Sequence, residues 1–510
     1  MSQNTSNTYV SILELPSMVR LIFERAQRSL LPETSGPVGL FVRYLRRKPQ
    51  RGLAVIYHVD ELRSSRGAPA LQHTSNPNRS VSLTLDEEAL DGPQIRFSGA
   101  QVRQSAVKVE PSGVLRVPEL GITVQAFPAD ASLPALAASC DTSEHGPVFQ
   151  ALQAAARVLL HSTSWRLVSA SAEPVRYKPA NRCVIRYRLV LEREGDDGPV
   201  RRNFTLFGKV YGDPEQAESV QAMQQQLYDE QVDTLGSTIA GQVLHTPLLP
   251  QPLGTIKTLG LTLNEAVQPA TSQEPMLTGV RALQPQVLRE RGGEISDVVI
   301  PGEELRLTAV ALAGLHTSGV RPGEGAPRTG AKEAKRARER AVLIAAHNPG
   351  QAAEVQRLAQ QLATRLEALQ PDSLDESGSY YRPAHGGFKA SQLLFHSHQV
   401  FVVDFDGFCL ADSALDVGYF LAYLRPSGLW YQRPGMRQWF EAAKEVFVTT
   451  YRQAMVEHGI ASSIVDGILE RSRLYEGALI FKIATRRANR LNSSRPKELS
   501  AMLSEIAGCL

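Results

Sequence analysis

The sequence predicts an α+β protein of several domains, and three observations predict it. Two blocks of short β-rich runs occupy the first half of the chain, the second half carries mostly helical periodicity, and the chain is 510 residues long. A single core stops growing near ~250–300 residues, and at ~150 per domain the chain divides into about three units. Hydrophobic residues at 43% and charged residues at 21% lie in the globular range, which excludes wholesale disorder, collagen-like repeats and coiled coils.

The elements follow in order. Residues 1–37 start polar and then place Val19, Ile22, Phe23 and Leu30 at the spacing of a short helix that ends before Gly36-Pro37. From Val38 to about Phe127 the runs GLFVRYLRR, GLAVIYHV, SVSLTL, QIRFSG and GITVQAF are punctuated by Pro, Gly, Asn and Asp, the pattern of a small antiparallel sheet. Val148, Leu152, Ala155, Val158 and Leu159 then recur at helical spacing. After Trp165 a second β block reads as three strands, RLVSAS, RCVIRYRLVLE and RNFTLFGKVYG, with the turn GDDGP between the last two. Asp213-Pro214 opens a helix through about Glu230. From Met276 onward the chain reads helical, with SQLLFHSHQVFVVDF as the lone β-like exception.

The two β blocks resemble each other. Lys48 and Tyr57 in the first match Lys178 and Tyr187 in the second, both pairs at an offset of 130, and RSVSLTLDEEALDGPQ loosely echoes RNFTLFGKVYGDPEQ downstream. A duplicated half-domain is therefore expected.

Charge and cysteines narrow the function classes. Lys and Arg total 55 against 52 Asp and Glu, a net +3 too weak to steer the chain onto nucleic acid or an anionic membrane. Cys140, Cys183, Cys409 and Cys509 are far apart and form no CxxC pair, so neither a zinc site nor a disulfide framework is expected. The amino terminus lacks a basic region followed by an apolar run, and no stretch of 18 apolar residues follows, so a cytoplasmic protein is expected. Five basic residues between Lys332 and Arg340, with Glu333 and Glu339 interspersed, read as a solvated helix face or as a contact for phosphate or an acidic partner.

The segment from Pro383 to Leu424 carries the chemistry: PAHGGFKASQLLFHSHQVFVVDFDGFCLADSALDVGYFLAYL. Val400 to Val403 form an apolar strand, and Asp404 and Asp406 stand just past its end beside Gly407. Carboxylates there suit Mg²⁺, which prefers one or two hard oxygens together with phosphate oxygens. The preceding loop places His385, Gly386, Gly387, Phe388 and Lys389 in sequence, then Gln392 five residues after Gly387 and Asp404 twelve beyond Gln392.

This order resembles the catalytic loop and metal strand of the aminoglycoside phosphotransferase and protein kinase-like superfamily, His-Gly-Asp-x-x-x-x-Asn followed by a strand and Asp. AVALAGLHTSGV at Ala309 to Val320 is similar to that family's helix ending in Leu-His, and Lys209 in FTLFGKVYG sits where kinases keep the lysine that grips ATP phosphates. The resemblance implies a bilobal kinase-like fold with a β-rich N-lobe at 151–270 and a helical C-lobe at 271–510, preceded by an extra α+β domain at 1–150, a degenerate N-lobe copy in which Leu85 or Asp86 falls near the Lys209 position.

It also implies ATP and Mg²⁺ as cofactors. Lys209 would pair with phosphates, oriented by Glu218 or Glu230, and Lys178 would meet phosphate from the first turn. Gln392, in place of the usual Asn, would join Asp404 and Asp406 at the metal, as in maltokinases, which this sequence resembles in using Gln there. The hinge for adenine would lie near Leu263 to Ala266. SASAEPVRYKP stands where a GxGxxG loop would be, which argues against a protein kinase.

One departure matters. Gly387 occupies the place of the catalytic Asp that accepts the acceptor hydroxyl's proton. His385, Gly387 and Lys389 are thus the catalytic-loop candidates, with Lys389, Asp406 or the substrate itself compensating for the missing base. Two expectations follow: an ATP-dependent phosphotransferase acting on a small-molecule hydroxyl, or a pseudokinase that binds nucleotide or scaffolds a partner. The amino-terminal domain would then cap the nucleotide cleft or present a face to a protein partner. The basic carboxy-terminal run YEGALIFKIATRRANRLNSSRPKE does not suit a cationic aminoglycoside acceptor.

Overall fold

A computed structural model describes residues 14–31, 38–48, 52–61, 77–91, 94–95, 97–196, 198–235, 249–267, 276–291, 294–322, 327–369, 380–396, 398–488 and 496–510. The fold is α+β and divides into two compact units. The first comprises residues 1–218 with 253–265 and 489–493; the second comprises 219–252, 266–488 and 494–510.

The first unit holds two sheets, each with its own core. The amino-terminal sheet has six strands in the order Val38–Lys48, Gly52–Glu61, Ser80–Leu85, Ile122–Ala126, Leu115–Val117 and Lys108–Val109. Its apolar face packs on the helix Leu15–Arg25, where Leu15, Met18, Val19, Ile22 and Phe23 recur at helical spacing and are buried. The second sheet has five strands in the order Pro252–Ile256, Leu261–Glu265, Val200–Tyr211, Arg182–Arg193 and Arg166–Lys178. It gathers its core with the helix Phe149–Leu159, and Phe127 and Leu133 already belong to this second cluster.

The two sheets share a plan that goes beyond the echo in the sequence. Each is a three-strand antiparallel meander extended by a fourth antiparallel strand on the third. Each fourth strand follows a one-turn helix, Pro118–Leu120 or Lys257–Leu259, capped by a left-handed glycine, Gly121 or Gly260. Tyr57 and Tyr187, the matched tyrosines, are both fully buried. Register fixes the correspondence: Leu85 faces Ile122 and Val210 faces Leu261, each the first residue after that glycine. Thr84 therefore sits opposite Thr123 as Lys209 sits opposite Thr262. The residue at the lysine position is Thr84, rather than Leu85 or Asp86, because pairing register and not sequence offset decides which side chains share a face.

The second unit is helical, with the helices Gly302–His316, Gly330–His347, Ala352–Glu367, Ala414–Leu424, Met436–Glu457, Ser462–Ala488 and Pro496–Cys509 around one extended apolar core. It holds more β-structure than the periodicity suggests. Besides the expected hairpin Leu393–His396 with Gln399–Val402, a second hairpin joins Gln286–Arg291 to Glu294–Val299, and Tyr381–Ala384 pairs with Cys409–Asp412. Strands of four residues carry too few alternations for a period to emerge, so helical neighbours mask them.

Candidate active site

The catalytic-loop candidates lie between the strand Tyr381–Ala384 and the short helical turn Ala390–Gln392. The loop can turn here because Gly386 adopts φ +72°, and a Cβ at that position would meet the Gly407 carbonyl oxygen at 2.0 Å. Gly387 differs: its φ is ordinary, and nothing stands within 4 Å of where its Cβ would be. The backbone there accepts a side chain that the sequence does not supply.

Both neighbours of Gly387 are held by one buried carboxylate. Asp416, in the first turn of the helix Ala414–Leu424, accepts the Gly386 N–H on Oδ2 at 3.2 Å and the Phe388 N–H on Oδ1 at 3.1 Å. His316, at the end of the Gly302–His316 helix, places Nε2 3.7 Å from Oδ2 and joins its Nδ1 to the Tyr451 hydroxyl at 2.7 Å. Burial pushes the Asp416 carboxyl up, but the His316 side chain and the Phe388 N–H outweigh it and hold the group below the usual carboxylate range. From the other side, Arg328 donates Nη1–H to the Gly386 carbonyl at 2.5 Å. Sequence reading placed His316 in a family-like stretch and Asp416 in the segment Pro383 to Leu424 without giving either a role; their roles needed the packing of two helices on the loop.

His385 is enclosed, at 1% exposure, between the Phe388 and Phe405 rings. Its Nε2 donates to the Val403 carbonyl at 3.2 Å, which leaves Nδ1 as a bare lone pair with no hydrogen-bond partner among the described residues. Burial holds this imidazole below the usual histidine range, so it stays neutral. A ring so enclosed ties the loop to the strand end rather than touching a substrate.

The proposed metal residues follow directly. The Gln392 carbonyl accepts the Val403 N–H at 2.9 Å, so Gln392 lies beside the residue that precedes Asp404. Asp404 itself is in the left-handed region, φ 73° and ψ 52°, a strained conformation for a residue other than glycine. Gln392 is buried, and its side-chain Oε1 has no hydrogen-bond partner among the described residues. A buried amide oxygen left unmet costs ~1–3 kcal/mol, so it marks a place suited to a cation or a donor. Asp406 lies on the short turn Phe405–Gly407. Lys389 reaches back with Nζ 3.5 Å from the Gly387 carbonyl and lies 5.9 Å from the Tyr423 ring.

In the first unit Lys209 is half-buried on the central strand Val200–Tyr211, 5.2 Å from the Tyr211 ring centre. Lys178 is exposed at the end of its strand. Glu218 accepts from Lys257 Nζ at 2.7 Å, with Glu215 at 3.1 Å on the same ammonium. Glu230 accepts the Gly319 N–H at 2.6 Å. Leu263 lies within the strand Leu261–Glu265 and Ala266 just past it. Among the described residues no cluster of three His, Cys, Asp or Glu side chains could by itself hold a metal, and no helix is long and apolar enough to cross a membrane.

Residues 277–453 match the model of the phosphotransferase enzyme family, which spans the catalytic-loop segment and both helices that clamp it. Among solved structures, a glucosamine kinase in complex with glucosamine, ADP and inorganic phosphate is 16% identical, with 97% of each chain covered and a TM-score of 0.39. A choline/ethanolamine kinase family protein from Mesorhizobium loti is 13% identical, covering 71% of this chain and 92% of its own, with a TM-score of 0.35. A choline kinase from Cryptosporidium parvum is 10% identical over 67% of this chain and 88% of its own, with a TM-score of 0.41. No curated protein matches the chain.

Proposed function

Given that residues 277–453 match the phosphotransferase enzyme family, we propose that the chain transfers a phosphoryl group from Mg-ATP to a hydroxyl of a small molecule. The observation that carries the reading is the buried, unmet Gln392 Oε1 beside the strained Asp404, on a loop whose backbone Asp416 and Arg328 hold from both sides.

Gln392 Oε1 and the Asp404 carboxylate, joined by Asp406, are the oxygens that would hold Mg²⁺. The ion would supply charge neutralisation on the transferring phosphate. His385 fixes the loop against Val403, and Asp416 fixes the two amides around Gly387, so the acceptor hydroxyl would meet a preorganised surface. Lys389, with Nζ 3.5 Å from the Gly387 carbonyl, would balance charge on the phosphoryl oxygens. Lys209 would contact the nucleotide's phosphates, with Glu218 or Glu230 released from its present partner to orient it, and Lys178 would contribute from the first turn.

No side chain at Gly387 takes the hydroxyl's proton. Phosphoryl transfer has a loose transition state that rests on positioning and charge, so the proton can pass to the phosphoryl group after bond making begins. Missing base assistance costs ~10²–10⁴-fold in rate. The same glycine supports the second reading, a nucleotide-binding pseudokinase.

Titration calorimetry of ATP with and without Mg²⁺, on wild type and Asp404→Ala, tests the proposal. Mg-dependent affinity that falls at least about tenfold in the variant supports it; equal affinity with and without Mg²⁺ sinks it. Turnover against a metabolite library then separates the enzyme from the pseudokinase.

A further inference from the structure

The basic run that reads in the sequence as a solvated helix face, or as a contact for phosphate or an acidic partner, keeps Lys332, Lys335 and Arg336 exposed and turns Arg340 inward, where Arg328 from the preceding loop joins it. Arg328, Arg336 and Arg340 converge on Glu333, whose side chain is fully buried: Arg328 Nε stands 2.9 Å and Arg336 Nη1 2.5 Å from Oε1, and Arg340 Nη1 is 3.9 Å from Oε2. Lys482 and Arg486, one turn apart on the helix Ser462–Ala488, add two more cations on the same side.

The hydrogen bonds that fix these cations end largely on neutral oxygens. Arg328 donates to the Gly386 carbonyl and, at 2.7 Å, to the Tyr419 hydroxyl. Arg340 donates to the Ala478 carbonyl at 3.1 Å, Lys482 to the Tyr419 hydroxyl at 3.4 Å, and Arg486 to the Tyr423 hydroxyl at 2.7 Å. Such bonds set geometry without cancelling charge; among the described residues, Glu333 is the carboxylate that pairs with Arg328, Arg336 and Arg340.

The excess of like charge is felt at Lys482. Burial first, then Arg486, Arg340 and Arg328, push its ammonium down to about 7, with Glu333 pulling the other way. The Tyr419 hydroxyl and ring are its neutral neighbours. Lys482, Arg328 and Arg340 are half-buried and Arg486 stands exposed beside them; holding such cations together is unfavourable by itself and becomes favourable when an anion joins them.

The cluster also adjoins the loop. Arg328 bonds Gly386, and Tyr423 lies between Arg486 and Lys389, whose Nζ is 3.5 Å from the Gly387 carbonyl. We infer that the acceptor is an anion: a hydroxyl compound carrying a phosphate or carboxylate group, whose negative end is held by Lys482, Arg486 and Arg328 beside the Gly386–Gly387 loop. This rests on the phosphotransferase reading for the word acceptor, but not for the anion site itself.

The test is calorimetric and uses the full chain. Sulfate, gluconate, glucose 6-phosphate and the cationic glucosamine are titrated into wild type, Lys482→Met, Lys482→Arg, Arg486→Ala and Lys209→Ala, with Mg-ATP affinity measured separately on each. The expected result is binding of glucose 6-phosphate or gluconate but not glucosamine, weakened at least about tenfold by Lys482→Met and by Arg486→Ala, and retained in Lys482→Arg and Lys209→Ala.

Binding at pH 8 should also take up protons, seen as a heat that depends on the buffer's ionisation enthalpy, and this uptake should vanish in Lys482→Met. Thermal melts identify a misfolded variant, and the Lys482→Arg and Arg486→Ala pair then still decides. Preference for glucosamine, binding indifferent to both sites, or binding lost in Lys209→Ala instead would overturn the inference. Loss of Mg-ATP affinity alone would remove the phosphotransferase reading and leave the anion site standing.

Discussion

Asp416 Oδ1 accepts the Phe388 N–H at 3.1 Å, and this bond, with its counterpart on Gly386, fixes the backbone on both sides of a residue that has no side chain. The helix Ala414–Leu424 thus holds the Gly386–Phe388 loop in place.

Asp416→Asn should destabilise the protein by ~2–3 kcal/mol, since bonds to a charged acceptor are worth ~1.5–3 kcal/mol and an amide cannot accept on both arms. The pH dependence has a definite sign. A carboxyl depressed in the folded state adds stability that is present above its unfolded value of ~3.9 and fades as pH falls through the lower folded value. Urea melts from pH 7 down to 3 should show this acid loss in wild type and a flatter profile in the variant.

Gly387→Asp should fold normally, because its Cβ enters open space at an ordinary φ, and should raise turnover by ~10²–10⁴-fold if the chain is a phosphotransferase lacking only its base. Gly386→Ala should do the reverse. Its Cβ would strike the Gly407 carbonyl, and both melting temperature and nucleotide binding should fall. Steady-state ATP turnover and thermal melts on the two variants check the contrast.

Gln392→Leu separates stability from function. Replacing a buried amide whose Oε1 is unmet should leave stability unchanged or raise it by about 1 kcal/mol, while Mg-dependent nucleotide affinity falls. Denaturation without ligand, set beside Mg-ATP titration, measures both; a loss of stability with intact affinity would assign Gln392 to the core instead.

Arg471→Met should cost ~3–5 kcal/mol. It would strand Asp412, a fully buried carboxylate that receives Arg471 Nε at 2.8 Å and Nη2 at 2.5 Å, with the Tyr475 hydroxyl at 3.2 Å. Asp412→Leu with Arg471→Met should recover much of that loss in urea denaturation.

The legible parts were local. The run from His385 to Asp404 could be read because its residues act within one loop and one hairpin, so spacing along the chain stands for distance in space. The long strands of the two β blocks were legible for the same reason, as their alternation is long enough to show; the short strands Lys108–Val109, Leu115–Val117, Pro252–Ile256 and Leu261–Glu265 were not, and QIRFSG yields only the two-residue strand Gln94–Ile95 outside the six-stranded sheet. The hairpin from Gln286 to Val299 was not, because Gly292-Gly293 is flanked by charged residues without clean alternation. Thr84 could not be matched to Lys209 because the intervening segments differ in length, and only the ladder restores the alignment.

The sequence by itself determined the order of the phosphotransferase-like motif, the glycine that interrupts it and the α+β class, all properties of neighbouring residues and their periodicity. Only the tertiary structure decided that Asp416 and Arg328 clamp that glycine's neighbours, that Glu218 meets Lys257 and Glu230 meets the Gly319 amide, and that Lys482 joins arginines from a helix far earlier in the chain. These pairings span many residues, and packing of the helices around their shared core, not spacing along the chain, sets which charges meet.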